Sequence, residues 1–267
     1  MATGGKIDPF IVGMSYNSAR DELFFADYDN KVVRVMRVRG NSGELREVYG
    51  GKSLNVSSVC HMSDSDTLLV GSGEYGPNGN WLVVLSRNGT EWREAHRVQT
   101  DESGSISCAL SGSRVLIGNS SKYMELFSVE SGPRIARLHR IRVSEPYCWF
   151  SAMCGSDTLV AMSYPFLDQS VRLHRLIGDR LEELERIQLK EPNRLLWLAD
   201  RLLVSDHYSE KGSYSVIEFE MSGTRLERRR ELVATEEKIT VSRMCAVNEG
   251  FAIFDSILKD VLYYSFV

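Results

Sequence analysis

The stretch SDTLLV occupies Ser65–Val70, and SDTLVA occupies Ser156–Ala161, so the run Ser-Asp-Thr-Leu returns after 91 residues. In both copies, turn-forming residues precede a short apolar run. Similar apolar runs recur along the whole chain: ELFFAD (22–27), TLLVGS (67–72), VLIGN (115–119), TLVAM (158–162), LLVSD (202–206) and FAIFD (251–255). Their third apolar residues are spaced 43 to 49 residues apart. A nearly constant period of this length predicts a repeat architecture.

The same signals surround the apolar run in each unit. A strand-like segment such as NVSSVCHM precedes the run, and an alternating segment such as KVVRVMRV follows it. A tight turn, often Ser-Gly or Asn-Gly, then leads to a more polar segment such as LREVYG. Four strands in about 45 residues, without helical periodicity, are typical of one blade of a β-propeller.

The sequence therefore predicts an all-β fold, a six-bladed β-propeller with mostly four-stranded antiparallel blades. We expect the whole chain, residues 1–267, to form a single propeller domain. Its blades are expected at roughly 7–52, 53–100, 101–143, 144–190, 191–235 and 236–267.

The last unit differs from the others because it stops at Val267, after its third strand. The GGK of Gly4–Lys6 matches the GGK of Gly50–Lys52, which ends a fourth strand, but only three residues precede it. We therefore expect a last blade that is incomplete. Closure of the ring is then weak, or the last blade has only three strands. Alternatively, sequence outside this chain completes the blade, as in a domain cut from a longer propeller.

The composition limits the classes of function that the protein can have. A net charge of −4 and a pI near 5.8 argue against a general binder of polyanions. The chain contains no apolar run of about 18 residues and no hydrophobic segment near its first residue, so we expect a soluble cytoplasmic protein. Its five cysteines include no C-x-x-C pair, which predicts buried, reduced thiols.

The first unit also resembles a known repeat. The segment ELFFADYDNKVVRVMRV, Glu22–Val38, resembles the NHL repeat over about 17 residues. The matching positions are Ala26, Asp27, Asn30, Val33 and Val35. This resemblance implies a propeller of the NHL or YWTD type. Propellers of the NHL type bind protein or single-stranded RNA on one face, whereas lactonase-like propellers are enzymes with a metal ion at the channel mouth.

Asp27, Asp206 and Asp255 share one position, directly after the second strand of their units. They are either oxygen ligands that converge on a calcium ion or caps that accept backbone N–H bonds in the following loop. Repetition of one position around a ring favours caps, because a catalytic site needs different residues from different blades. The chain also lacks nucleotide-binding, hydrolase and metal-ligand motifs, so we expect no catalytic residue, no metal and no cofactor.

The loops between second and third strands are rich in aromatic residues. In a propeller these loops lie on one face, around the mouth of the central channel, where aromatic residues suit the recognition of a partner. Acidic residues and a histidine in the same loops would add polar selectivity. The predicted partner-binding residues are Tyr28, Asp29, Glu74, Tyr75, Tyr164, Phe166, His207 and Tyr208.

The sequence thus favours a non-catalytic binding or scaffold propeller that recognises a protein or peptide through its loop face. One alternative is a metal-dependent, lactonase-like hydrolase at the channel mouth. Another is a single-stranded RNA binder of the NHL type, which would use basic residues beside the tyrosines: Lys52, Lys122, Lys190, Arg194 and Lys211. We expect no nucleic-acid partner, no membrane association, and a monomer unless the open last blade pairs with another chain.

Overall fold

The computed structural model describes residues 10–38, 45–50, 55–73, 80–100, 106–109, 114–118, 123–129, 134–143, 152–156, 158–208, 213–234, 241–248 and 250–266. Side chains of residues 106–109, 152–156, 208, 213, 234 and 242 lie outside that description. Strands form wherever the sequence alternates apolar and polar residues or runs apolar for five or six residues. Within the described ranges, no helix has the length and apolar character needed to span a membrane.

The strands follow one another in sets of four. The first blade contains β1 (Ile11–Asn17), β2 (Glu22–Asp27), β3 (Val32–Arg37) and β4 (Arg46–Gly50). The second contains β5 (Val56–Met62), β6 (Thr67–Ser72), β7 (Asn80–Asn88) and β8 (Glu91–Thr100). The third contains β9 (Ile106–Ala109), β10 (Arg114–Gly118), β11 (Tyr123–Val129) and β12 (Ile135–Arg142).

The second half of the chain repeats this order. The fourth blade contains β13 (Ala152–Ser156), β14 (Leu159–Tyr164), β15 (Ser170–Ile177) and β16 (Arg180–Gln188). The fifth contains β17 (Pro192–Leu198), β18 (Arg201–Tyr208), β19 (Ser213–Ser222) and β20 (Arg225–Ala234). The sixth contains β21 (Val241–Val247), β22 (Gly250–Asp255) and β23 (Asp260–Ser265).

In each blade, consecutive strands pair as an antiparallel sheet in the order of the sequence. Five sheets have four strands, and the sixth has three among the described residues. The predicted fold class is therefore confirmed: the chain is an all-β, six-bladed propeller. The six apolar runs that revealed the period are the second strands of the six sheets.

The core of the molecule lies between the blades. The described residues form six hydrophobic clusters, and each cluster joins side chains of two neighbouring blades. Second strands supply the centre of every cluster, because alternate residues along such a strand face the preceding blade and the following blade. Phe24, for example, packs toward the second blade, whereas Phe25 packs toward the sixth.

The ring closes through the first and last blades. The inner strand β1 contacts both β5 of the second blade and β21 of the sixth. Phe25 and Met36 of the first blade share a cluster with Phe254 and Val261 of the sixth. Among the described residues, the last blade has three strands, and apolar packing joins that blade to the first.

The repeated SDTL run lies at the entrance to a second strand. In its first copy, a short 3-10 turn at Ser63–Ser65 ends on Asp66, whose φ of 43° is left-handed. The strand then begins at Thr67. Aspartate tolerates this backbone region better than most residues because its short polar side chain forms local hydrogen bonds. The run is a turn signal of the fold.

Candidate partner-binding face

The loops between second and third strands share one end of the propeller with the segments that join successive blades. A repeated backbone hydrogen bond ties these two kinds of segment together. The N–H of Tyr28 donates to the carbonyl of Phe10 at 3.0 Å, and that of His207 donates to the carbonyl of Glu191 at 3.1 Å. The N–H of Gly73 makes the equivalent bond at 3.1 Å, to the carbonyl of Asn55. We call this end of the molecule the loop face.

Asp27 and Asp255 act as caps of the loops on this face. The Asp27 carboxylate, which is fully buried, accepts hydrogen bonds from the N–H of Asn30 at 3.1 Å and from Nε of Arg34 at 2.9 Å. The Asp255 carboxylate accepts the N–H groups of Ile257 at 2.7 Å and Leu258 at 3.0 Å. Their structural interpretation as caps is confirmed, and the caps hold both loops in one conformation.

Asp206 holds a different segment. Its carboxylate accepts the N–H of Glu191 at 2.7 Å and that of Lys190 at 3.3 Å, so it fastens the segment that joins the fourth blade to the fifth. Burial raises the pKa of Asp206, and the two backbone donors only partly offset that effect. Among the described residues, no group of three or more His, Cys, Asp or Glu side chains is arranged to hold a metal ion.

Two of the predicted partner-binding residues lie in the loop of the first blade. The ring of Tyr28 is half-buried and meets the ring of Phe10 edge-on, with centroids 6.3 Å apart. Phe10 itself is 56% exposed, and Asp29 is exposed at the tip of the same loop. The structure thus brings an aromatic pair and a carboxylate together on the loop face.

Tyr164 is a correction to the sequence prediction. Only 1% of its surface is exposed, and it belongs to the cluster between the third and fourth blades. The guanidinium of Arg172 lies over its ring at 4.2 Å from the centroid. As the last residue of β14, it still follows the inward alternation of that strand, so it does not reach the surface. Its neighbour Phe166 does, with 75% of its surface exposed.

The remaining predicted residues lie in the second and fifth blades. The Nδ1 atom of His207 is 3.1 Å from the Glu191 carboxylate, and its ring stacks on Tyr214 with centroids 4.2 Å apart. Tyr208 pairs with Ser213 at the start of the loop in the fifth blade. Glu74 and Tyr75 lie outside the described residues.

The sequence prediction missed several apolar residues on this face. Leu167 is 45% exposed beside Phe166, while Ile257 and Leu258 are exposed in the loop of the sixth blade. A usable signal was present in the sequence: YPFLDQS and DSILKD place apolar residues in turns, where polar residues are the norm.

Two arginines lie in the inner wall near the loop face. Arg194 in β17 and Arg243 in β21 each follow the irregular register at the start of their strand, so they occupy equivalent positions in adjacent blades. Burial lowers the pKa of Arg194 to about 10. Burial and the neighbouring charge of Arg194 lower the pKa of Arg243, whose Nε donates to the carbonyl of Val12. Arg194, considered above as a loop residue for RNA, thus belongs to the inner wall.

Other candidate reactive groups are embedded in the blades. Burial raises the pKa of the Cys60 thiol to about 12, so that thiol stays protonated and unreactive at neutral pH. His61 lies between the rings of Phe24 and Trp92, and its Nε2 atom is 3.1 Å from the Asp66 carboxylate. These contacts assign His61 to the packing between the first and second blades, whereas Cys60 packs against the cluster between the second and third.

No protein-family model matches the chain, and no curated protein sequence matches it either. Solved structures do match. One, from the mitotic checkpoint complex, has a TM-score of 0.65 at 9% identity and covers 99% of this chain and 90% of its own. A candidate 6-phosphogluconolactonase from Bacteroides uniformis has a TM-score of 0.64 at 11% identity, with 95% and 80% covered.

The WD40 repeats of RRP9 match with a TM-score of 0.62 at 9% identity, covering 95% of this chain and 89% of that one. At such low identities these likenesses show the fold alone. They support a propeller, with WD40-type structures among its neighbours, and they do not confirm the NHL type suggested by the first unit. The chain is thus a β-propeller by its architecture.

Proposed function

We propose that the protein is a non-catalytic binding propeller that recognises a protein or peptide partner through its loop face. The observation that carries this proposal is the distribution of exposed apolar side chains. Among the described residues, seven large hydrophobic residues are exposed. Five of them lie on the loop face: Phe10, Phe166, Leu167, Ile257 and Leu258.

The five residues lie in two parts of the loop face. Phe10 and the loop of Ile257 and Leu258 belong to the first and sixth blades, which are neighbours in the ring. Phe166 and Leu167 belong to the fourth blade. Exposed apolar side chains are unfavourable in water, and their burial against a partner contributes roughly 25 cal/mol per Å². Aromatic anchors among polar neighbours are typical of binding hot spots.

The loop that carries Phe166 is held rigidly. The Asp168 carboxylate accepts hydrogen bonds from Ser170 at 2.5 Å, from Arg172 at 2.7 Å and from Arg186 at 3.1 Å. The cap of Asp255 holds the loop of the sixth blade in the same way. Because both loops are already ordered, they lose little conformational entropy when a partner binds.

The same geometry gives less support to the two alternatives. Single-stranded RNA binding needs basic residues beside stacking aromatics, but Tyr164 is buried and Arg194 lies in the inner wall. The lactonase-like alternative needs carboxylates for a metal ion, whereas those of Asp27 and Asp206 already accept backbone N–H bonds. A protein or peptide surface fits the exposed apolar residues best.

The experiment compares two double variants of the tagged protein. In Phe166→Ser with Leu258→Ser, two loops of the loop face each lose one exposed apolar side chain. In Leu138→Ser with Ile177→Ser, the two exposed apolar residues outside that face are removed. Quantitative mass spectrometry of captured proteins should show partners that bind the wild type and the control variant but not the face variant. Equal capture by all three proteins would contradict the proposal.

We also propose that the protein acts in the cytoplasm. Cys60 and Cys245 are both free thiols in the described part of the chain, which suits a reducing compartment. Fluorescence microscopy of the tagged full-length protein tests this location. Accumulation in a secretory compartment would contradict it.

A further inference from the structure

The inner strands of the six blades line the central channel of the propeller. These strands are β1, β5, β9, β13, β17 and β21. Their sequences contain no aspartate and no glutamate, and the permanently charged residues in them are Arg194 in β17 and Arg243 in β21. The strands of the channel wall therefore bring two positive charges and no carboxylate.

The two arginines occupy one position in neighbouring blades. Arg194 pairs with Ser205 and Arg243 pairs with Phe254, in each case directly after the irregular register at the start of the inner strand. The strands β17 and β21 contact each other. Both arginines thus enter the channel wall at the same level, near the mouth of the channel on the loop face.

The first blade shows which way a side chain at this position points. Gly13 occupies it there, also directly after the irregular register of its strand. A Cβ at Gly13 would lie 3.0 Å from Cα of Ser58 and from the backbone nitrogen of Val59, both in the second blade. Side chains at this position therefore point toward the following blade. Arg243 agrees with this direction, because its Nε donates to the carbonyl of Val12 in the first blade.

By the same direction, Arg194 points from the fifth blade toward Arg243 in the sixth. The two charges act on each other, since the charge of Arg194 lowers the pKa of Arg243. Both residues are half-buried, although burial lowers the pKa of Arg194 to about 10. Side chains that are strongly desolvated and still reached by water line a narrow, water-accessible space. The pair therefore faces the channel near its mouth.

This arrangement favours the entry of an anion. Two like charges at close range repel each other, and desolvation adds to the cost of keeping both charged. The carbonyl of Val12 accepts an N–H group of Arg243 but brings no negative charge. An oxyanion between the two guanidinium groups offsets their repulsion, and each planar guanidinium can donate two parallel N–H bonds to it. The attraction is stronger in a partly desolvated channel than in open water.

We propose that the mouth of the central channel binds a dianionic phosphate group between Arg194 and Arg243. The two positive charges of the pair match a phosphate dianion better than the single charge of a carboxylate. The ligand is inorganic phosphate or the phosphate group of a small phosphorylated molecule, which offer the same chemistry. The site lies in the inner wall and uses none of the exposed loop residues, so the proposal stands independently of the proposed function.

Isothermal titration calorimetry of the full-length protein with sodium phosphate tests the site. At pH 7.5 and constant ionic strength, we expect saturable binding of one phosphate per chain. Sodium acetate should bind at least tenfold more weakly, because it carries a single charge. Glycerol 3-phosphate separates the two sources: tighter binding than phosphate identifies a phosphorylated molecule, and equal or weaker binding identifies the free anion. Absence of saturable phosphate binding to the wild type would overturn the proposal.

Matched variants locate the binding. Arg194→Gln and Arg243→Gln should each weaken phosphate binding at least tenfold, whereas Arg180→Gln, at an exposed position of β16, should leave it unchanged. Arg194→Lys keeps the charge without the planar fork, so it should bind phosphate more tightly than Arg194→Gln does. Thermal unfolding verifies that each variant is folded, and Arg194→Lys serves as the test if a glutamine variant is not. Unchanged affinity in the variants of Arg194 and Arg243, or an equal loss in Arg180→Gln, would overturn the proposal.

Discussion

The indole of Trp92 meets the ring of Phe24 edge-on, with ring centroids 5.6 Å apart and planes at 86°. Trp92 lies in the outermost strand of the second blade and Phe24 in the second strand of the first, so the contact joins two blades. The guanidinium of Arg87 covers the indole at 4.6 Å from its centroid. Contacts of this kind hold the ring together, because no strand in the described ranges pairs with a strand of another sheet.

Replacement of Trp92 should weaken the whole fold. We expect Trp92→Ala to lower the free energy of unfolding by about 3–5 kcal/mol, the usual cost of removing a large buried aromatic side chain. Urea denaturation followed by circular dichroism measures the change. Leu138→Ala, at an exposed position of a fourth strand, is the control and should change stability by about 0.5 kcal/mol or less. A similar loss of unfolding free energy in both variants would contradict the role of Trp92 in joining the two blades.

The sequence alone predicted the architecture because a repeat multiplies a weak signal. Second strands such as ELFFAD and TLLVGS are buried on both sides, so they must be apolar in every blade, and six copies make the period visible. The groove that Phe251 and Phe266 line in the sixth blade could not be predicted, because it depends on where these side chains meet in space.

The candidate site was only partly predictable for a physical reason. Tyr164 and Phe166 are two residues apart, yet one is buried and the other exposed, because β14 ends between them. Sequence patterns do not locate a strand end to within one residue. Ile257 and Leu258 were overlooked because apolar residues are expected in cores, although their loop position indicated exposure.

The cap of the first loop offers a test of local stability. Asp27→Ala should lower the free energy of unfolding by about 3 kcal/mol, because it leaves the polar groups of Asn30 and Arg34 without their shared acceptor. Chemical denaturation measures the effect. Asp29→Ala, at an exposed position in the same loop, should be nearly neutral. If the two variants were equally stable, Asp27 would not be a structural cap.

The sixth blade depends on a glycine at the start of β22. A Cβ at Gly250 would lie 1.8 Å from the carbonyl oxygen of Tyr264, a backbone atom of the neighbouring strand. Gly250→Ala should therefore force β22 and β23 apart and destabilise the protein by about 3 kcal/mol or more. Gly223→Ala is the matched control, since it has open space but a φ of +64° and should cost only about 1 kcal/mol. Thermal and urea denaturation of both variants measure these two losses of stability.

The exposed residues of the loop face should contribute to surface properties rather than stability. We expect Phe166→Ser to leave the free energy of unfolding within about 0.5 kcal/mol of the wild type, because its side chain is largely in water. The same variant should bind less of a hydrophobic dye such as ANS. Phe251→Ser, in the core, should instead lower stability strongly. A large loss of stability in Phe166→Ser would show that this side chain packs in the fold.

Two buried histidines should make the fold sensitive to mild acid. Burial lowers the pKa of His174, with Glu183 only partly offsetting it, and burial lowers the pKa of His61, where Asp66 opposes the shift. An unfolded histidine titrates near pH 6.5, so the unfolded state binds more protons than the native state as the pH falls below about 7. Stability is therefore complete above that pH and declines as the pH falls through 6.5 toward the lower native values.

The measurement is urea denaturation at pH 7.5, 6.5 and 5.5. Each histidine contributes a slope of at most about 1.4 kcal/mol per pH unit within its window. We expect His174→Leu to reduce the pH dependence between 7.5 and 5.5 by about half, while His139→Leu, at an exposed position, leaves it unchanged. An unaltered slope in His174→Leu would contradict this assignment, because the native state would then hold that proton as readily as the unfolded chain does.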